Sequence, residues 1–162
     1  MKCPACDKPM TSARENYNYS ACGLPHVTLK GVEVRRCGEC GEHEVVIPRM
    51  AELHQAIARA VVTKKARLMA AEVKFLRKHL GWSGAEFARH MGVTAETVSR
   101  WENGHEPMGA VADRLLRLMV VTQAPKPEYT IDALAELEDE PAPARVKLAA
   151  DRNGWHPEPV AA

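Results

Sequence analysis

The 162-residue chain contains no run of about 18 consecutive apolar residues, which excludes a membrane-spanning helix built from such a run. Its opening, MKCPACDKPM, lacks the apolar core of a signal peptide, so a cytoplasmic location is expected. There is no Ser/His/Asp set, no glycine-rich loop to cradle phosphate and no metal shell left one ligand short, so no catalytic residue is assigned and an enzyme is the weakest class. Net charge is nearly absent as well, at +1 over the whole chain.

That near-neutrality hides an asymmetry. Residues 1–48 hold six Lys/Arg and six Asp/Glu, residues 49–123 hold twelve and seven, and residues 124–162 hold four and eight. A basic centre beside an acidic end suits a polyanionic partner for the centre, although a surplus of this size is common in ordinary helical domains. The composition divides the chain into a module at 1–48, a connecting helix at 49–69, a helical domain at 70–122 and a tail at 123–162.

Five cysteines are present, and four of them form two C-x-x-C pairs, Cys3/Cys6 and Cys37/Cys40. Such pairs suit a reducing compartment and metal binding better than a secreted disulfide scaffold. Four thiolates converging from two knuckles would close a tetrahedral Zn²⁺ shell, which makes the site structural rather than catalytic. A redox-active dithiol is the alternative, without the βαβ pattern that usually accompanies it. His43 is an alternative ligand; Cys22 stands apart and suits a small buried position. Between the pairs, HVTLKGVEVRR (26–36) alternates β-branched and polar residues and predicts a strand or hairpin interrupted at Gly31. So short a segment buries too little apolar surface to fold alone, and bound zinc would supply what is missing.

Pro48 suits a first helical turn, and Met50, Leu53, Ile57 and Val61 then recur at helical spacing. A second helix over about 70–80 turns Val73, Leu76 and Leu80 inward and closes at Gly81. Ser83 and Glu86 have the spacing of a capping box and open a helix over 84–91 with Phe87, Ala88 and Met91 on its apolar stripe. Gly92 ends that helix, and Thr94 caps another that runs to about Asn103. Val98 and Trp101 face inward on it, leaving Ala95, Glu96, Ser99 and Arg100 on the open face that a recognition helix presents to the major groove. A last helix over about 110–121 is expected to contribute Val111, Leu115, Leu118 and Met119 to the core. An ordinary helical bundle is the alternative reading. Against it stand the paired caps, the short turn and the exposed small and polar face in one continuous run.

Leu76 to Gly104, most clearly LRKHLGW and SRWENG, resembles the Xre or phage-repressor class of helix-turn-helix. The resemblance implies a C-terminal helical bundle in which the helix after Thr94 enters the major groove, with Ala95, Glu96 and Arg100 towards base edges, and with Arg77 and Glu102 as a structural ion pair. Thr94, Thr97 and Ser99, on the same helix and its cap, are further candidate DNA-binding residues. Arg89, Lys78 and His105 are candidate backbone contacts. An arginine fork can span guanine O6 and N7, which supports Arg100 independently.

The order of the parts is similar to the MqsA family of antitoxins over about residues 1–122: a first cysteine pair at the start, a second about thirty residues later in a Leu29-Lys30-Gly31 context, then a helix-turn-helix. This implies a mainly α fold with a small β-rich zinc module. It further implies an mRNA-cleaving toxin bound through that module, a homodimer through the C-terminal domain, and repression of the chain's own operon at a palindromic operator. The family's base-contacting asparagine falls at Glu96, so the operator read here differs, because a carboxylate accepts from cytosine N4. A stand-alone regulator without a toxin is the alternative; an archaeal-type bridging coactivator also joins a zinc ribbon to such a domain.

The tail is rich in proline, alanine and acid and is expected to be largely disordered. Tyr129, Ile131, Leu134 and Leu137 suit one short amphipathic helix, and Trp155 has no evident local partner.

Overall fold

A computed structural model describes residues 1–123 and 140–159. In chain order the elements are β1 (Met10–Asn18), a single 3₁₀ turn (Ser20–Cys22), β2 (Val27–Cys37), β3 (His43–Val46), α1 (Met50–Thr63), α2 (Ala70–His79), α3 (Gly84–Met91), α4 (Ala95–Glu102), α5 (Ala110–Gln123), β4 (Val146–Asp151) and β5 (Gly154–Pro157). The fold is a strand-rich region carrying the cysteines, followed by helices.

The central strand is β2. On one edge it pairs antiparallel with β1. On the other it pairs antiparallel with β3 through Glu33–Arg36 and parallel with β4 through Val27–Lys30. The expected interruption at Gly31 is a bulge within one strand, not the turn of a hairpin. Between the Glu15–Val32 and Tyr17–Leu29 pairs β1 advances by one intervening residue and β2 by two, and Gly31 takes a φ of +62°, which glycine tolerates without a Cβ clash. Asn16 Oδ1 accepts from the Gly31 amide at 3.2 Å. The extra residue shifts the side-chain phase by one, so Val27 and Leu29 before it, and Val32 and Val34 after it, are all buried.

The core is continuous. Sheet residues Val27, Leu29, Val32 and Val34 join one cluster with Leu53, Ile57 and Val61 of α1, Val73 and Leu76 of α2, Phe87 of α3, Val98 and Trp101 of α4, and Leu116 and Val120 of α5. The cysteine module therefore shares its apolar interior with the helical domain. Met50 is the one member of the expected α1 stripe that stands out of it, 42% exposed, and α1 ends at Thr63 rather than reaching the high 60s.

Two expectations are corrected. On α5 the inward face is one position out of phase with the expected one. Leu116 and Val120 are buried together with Asp113 and Arg117, while Val111 and Leu118 are exposed and Leu115 and Met119 are half-buried. The apolar residues cover most of that helix's circumference, so hydrophobicity alone does not set its rotation, and a buried ion pair does.

The second correction concerns the tail expected from 123 onward, which is not disordered over 146–157. Val146 and Leu148 of β4 and Trp155 of β5 belong to the common core. Arg67 donates its amide to Glu140 O at 3.1 Å, Ala144 donates its amide to Glu72 Oε1 at 2.7 Å, and Val146 donates to His26 O at 2.9 Å. Trp155 thereby has its partner: Nε1 donates to Pro48 O at 2.9 Å. The amphipathic helix expected around Tyr129, Ile131, Leu134 and Leu137 lies outside the described residues.

Candidate metal centre and nucleic-acid interface

Cys3, Cys6, Cys37 and Cys40 converge at one end of the sheet, with their sulfur atoms all within 4.8 Å of one another. The two knuckles are built alike. Cys3 N donates to Lys8 O at 2.8 Å and Asp7 N to Cys3 O at 2.9 Å; Cys37 N donates to Glu42 O at 2.8 Å and Gly41 N to Cys37 O at 3.1 Å. Asp7 (φ 57°) and Gly41 (φ 75°) occupy the same left-handed place in each turn, and glycine and aspartate are among the residues that reach it most readily.

The Sγ atoms of Cys3 and Cys40 lie 3.6 Å apart and those of Cys6 and Cys37 3.4 Å apart, much longer than a disulfide. A tetrahedron of thiolates about 2.3 Å from a metal has edges of about 3.8 Å, so this donor set fits a tetrahedral ion. Backbone amides of Cys40 and Glu39 donate to the Cys37 sulfur and pull its thiol down to about 7. That favours a thiolate at Cys37. Against the pull of the Lys8 amide the Cys6 thiol is pushed up to about 12, and against that of the Glu42 amide the Cys40 thiol is raised, the crowding of four sulfurs opposing further thiolates until a cation lies among them. His43 lies on β3 with its ring 6.4 Å from that of Tyr17 and is not part of the cluster. Cys22 is also outside it; its thiol donates to Tyr19 O at 3.0 Å.

The second constellation lies on α2 to α5. Ser83 Oγ accepts from Glu86 N at 3.2 Å and Glu86 Oε2 accepts from Ser83 N at 2.7 Å, the two halves of a capping box. At the far end of α3, Gly92 adopts φ 67° and Val93 N reaches Ala88 O at 3.0 Å, which closes the helix and turns the chain at once. Thr94 follows directly and caps α4, its hydroxyl accepting from Thr97 N at 3.2 Å. The two helices are thus joined by Gly92, Val93 and Thr94.

On α4 Val98 and Trp101 are buried, whereas Ala95, Glu96, Ser99 and Arg100 are exposed. Thr97 is half-buried and its hydroxyl lies 3.0 Å from that of Thr94, a capping contact. Arg89 and Lys78 are exposed in the last turns of α3 and α2, and His105 is exposed just beyond α4. Arg100 Nη2 donates to Glu96 Oε1 at 2.6 Å. Arg77 Nη2 donates to Glu102 Oε2 at 3.1 Å, its Nε donates to Glu102 Oε1, and its Nη1 donates to Trp82 O at 2.7 Å. One guanidinium therefore ties α2 to α4 and to the turn before α3, and the Glu102 carboxylate raises its pKa above the usual arginine value.

The residues that sequence reasoning missed lie behind this surface. Arg117, fully buried, donates to Asp113 Oδ1 at 2.6 Å and to the carbonyls of Val62, Lys64 and Ala66 at 2.9, 2.6 and 2.7 Å. Asp113 Oδ2 also accepts from Leu68 N at 2.7 Å. Glu72, also buried, accepts from the amides of Met69 and Ala144 and pairs with Lys64 at 2.5 Å. Burial pushes the Lys64 ammonium below the ordinary lysine value. These two networks fix α5 and the returning C-terminal segment to the α1–α2 connection. An acid and an arginine four apart in a largely apolar helix were the available signal.

None of the described helices is long and apolar enough to cross a membrane. Neither the curated proteins nor the solved structures contain a match to the chain. Residues 73–121, from within α2 to within α5, match the family described as helix-turn-helix, a family of DNA-binding regulators, so this segment is a helix-turn-helix domain.

Proposed function

We propose that the chain is a zinc-containing, sequence-specific DNA-binding repressor that serves as the antitoxin of a toxin–antitoxin pair. The observation that carries the DNA-binding part is the helix-turn-helix match together with the open face of α4, where Ala95, Glu96, Ser99 and Arg100 stand clear of the core. In this reading α4 enters the major groove. Arg100 spans a guanine, and Thr94, Thr97, Arg89 and Lys78 hold the register through phosphates.

Homodimerisation is supported by α5. Val111, Leu115 and Leu118 recur at four and three residues along its outer face; Val111 is 79% and Leu118 42% exposed. Two copies related by a two-fold axis would cover this stripe and place two recognition helices on a palindrome.

The toxin role rests on the similarity to the MqsA family in the order of module and domain. It gains support from β1, which among the described elements is hydrogen-bonded to β2 alone and offers its other edge to a partner strand. A stand-alone regulator is the second reading. It is favoured by the core shared between module and helices, which gives the cysteine region a folding role that needs no toxin.

Zinc, held by Cys3, Cys6, Cys37 and Cys40, would supply structure rather than chemistry, because four cysteines leave no open ligand position. Elemental analysis of purified protein checks it: one zinc per chain is expected, and another thiophilic metal or none overturns it. Co-expression with the adjacent reading frame decides between the functional readings. Neutralised growth toxicity with a stable complex supports the antitoxin, and no interaction favours the stand-alone regulator.

A further inference from the structure

The joint between β3 and α1 is three residues long: Ile47, Pro48 and Arg49. Arg49 stands at φ 49° and ψ 56° in the N-cap place of α1, where an arginine has no acceptor to offer the helix. Apart from Asp7 in the first cysteine knuckle, it is the one non-glycine among the described residues with a positive φ. The left-handed region crowds the Cβ of an L-residue against its own backbone, so the conformation persists only where the surroundings impose it.

What surrounds it is the hairpin of β4 and β5. Trp155 Nε1 donates to Pro48 O at 2.9 Å, and Arg49 Nη2 donates to Asp151 O. Gly154 lies so close to the first turn of α1 that a Cβ there would stand 3.2 Å from Glu52 Oε2, an atom itself 3.6 Å from Arg49 Nε. The other side of the hairpin is tied to the sheet. β4 pairs with Val27–Lys30, Val146 N donates to His26 O at 2.9 Å, and Lys30 Nζ meets Glu158 Oε2 at 2.7 Å. One two-stranded element therefore grips β2 and the first residues of α1 at once, across the strained residue between them. Its ladder with β2 is parallel and four residue pairs long, a weaker hold per residue than an antiparallel one.

We infer that β4 and β5 form a strap that holds Arg49 in its left-handed form and thereby sets the angle between the cysteine region and the helices. The strap opens as a unit at less cost than global unfolding, and on opening Arg49 relaxes and the two parts uncouple. The closed strap makes sheet and helices one body; the open strap lets each move alone. This coupling holds whatever either part binds.

Native-state hydrogen exchange of the full-length, metal-loaded protein reads the opening without any substitution. The amides of Val146 and Glu158, which bond His26 O and Lys147 O, and that of Leu53, which bonds Arg49 O at 3.0 Å, should share one protection factor, lower than that of core helix amides such as Leu76 and Leu116. Trp155→Phe keeps an aromatic ring in the core but removes the bond to Pro48 O. It should speed tryptic cleavage after the exposed Arg49 by about 2- to 10-fold, the range for one lost hydrogen bond, and speed exchange at Val146, Glu158 and Leu53 alike. Gly154→Ala strains the strap at a second point, since its φ of +134° suits glycine alone, and should act in the same direction. Ser83→Ala, a mild lesion outside strap and joint, should leave cleavage after Arg49 unchanged. Cleavage that rises as much in Ser83→Ala as in Trp155→Phe, or strap amides that exchange together with Leu76 and Leu116, overturns the strap, because the hairpin then opens only with the whole fold. Faster exchange at Val146 and Glu158 with Leu53 and the cleavage rate unmoved also overturns it, because the joint then keeps its form unaided.

Discussion

On α4, Glu96 and Arg100 stand four residues apart and pair at 2.6 Å with the side chains 73% and 55% exposed; on α5, Asp113 and Arg117 stand four apart and pair at the same distance with 1% and 0% exposed. In the sequence the two motifs are the same, an acid followed by arginine one turn later. In the fold one projects into solvent from the open face of α4, and the other is enclosed between α5 and the α1–α2 connection. A surface pair is screened and loses side-chain entropy, so it contributes little to stability and remains free to exchange partners. The enclosed pair has exchanged water for protein partners: beyond the pair itself, three carbonyls for Arg117, and for Asp113 a backbone amide with the Arg67 guanidinium 3.7 Å away. The first can recognise, and the second can only hold.

The sharpest way to break that contrast is to remove one enclosed partner. Asp113→Ala leaves a buried guanidinium uncompensated and should lower unfolding free energy by about 3–5 kcal/mol in chemical denaturation. An apolar replacement of both, Asp113→Leu with Arg117→Met, should not restore it, because the carbonyls of Val62, Lys64 and Ala66 and the Leu68 amide would remain unpaired. Full recovery would show that the ion pair alone matters and the backbone contacts do not.

Arg77 and Glu102 sit between the extremes, with side chains 12% and 10% exposed. Arg77→Ala should cost about 3 kcal/mol, the low end of the range for a broken buried pair, and should lower the melting temperature before base preference changes. An unaltered melting temperature would place this brace with the surface pairs.

Ser83→Ala should cost about 1 kcal/mol by uncapping α3. Its partner Glu86 shows that an exposed carboxylate still titrates abnormally where it meets backbone: hydrogen bonds from the Ser83 amide and then the Ser83 hydroxyl hold its pKa below the ordinary glutamate value. A depressed carboxylate stabilises the fold above its unfolded pKa, and that contribution disappears as pH falls through the lower folded value. Acid denaturation of Glu86→Gln and wild type should therefore converge below that window, and a constant gap down to full protonation would contradict it; the Ser83→Ala deficit should persist there, because the lost bond from the Glu86 amide to the Ser83 hydroxyl does not titrate.

Glu96→Ala should change stability by no more than about 0.5 kcal/mol in the same denaturation assay. A larger loss would make this pair structural after all.

Most of the helix-turn-helix was legible because its signals are local. The Ser83/Glu86 spacing, Gly92 and Thr94 mark helix ends within a few residues of where they act, and Phe87, Val98 and Trp101 mark the inner face. The cysteine spacing was equally direct, since few chemistries use two C-x-x-C pairs about thirty residues apart. β4 and β5 were not legible, because β4 pairs with Val27–Lys30 across more than a hundred residues and is a short strand that directly follows a proline- and acid-rich stretch. The alternation of Val146 and Leu148, and the Asn153-Gly154 pair closing the hairpin, were the signals present.

By itself the amino-acid sequence determined the caps and turn of α3 and α4 and which face of α4 stays open, since each depends on residues near one another along the chain; it marked the four cysteines by their spacing, while the pairing of β1 with β2 brings the two pairs together. Tertiary structure alone decided the rotation of α5, the return of the C-terminal strands to β2, and which acid–arginine pair is enclosed. Those depend on what a helix or strand finds opposite it in space, and burial, which turns an ordinary i,i+4 pair into an anchor, is a property of the assembled fold and not of the spacing.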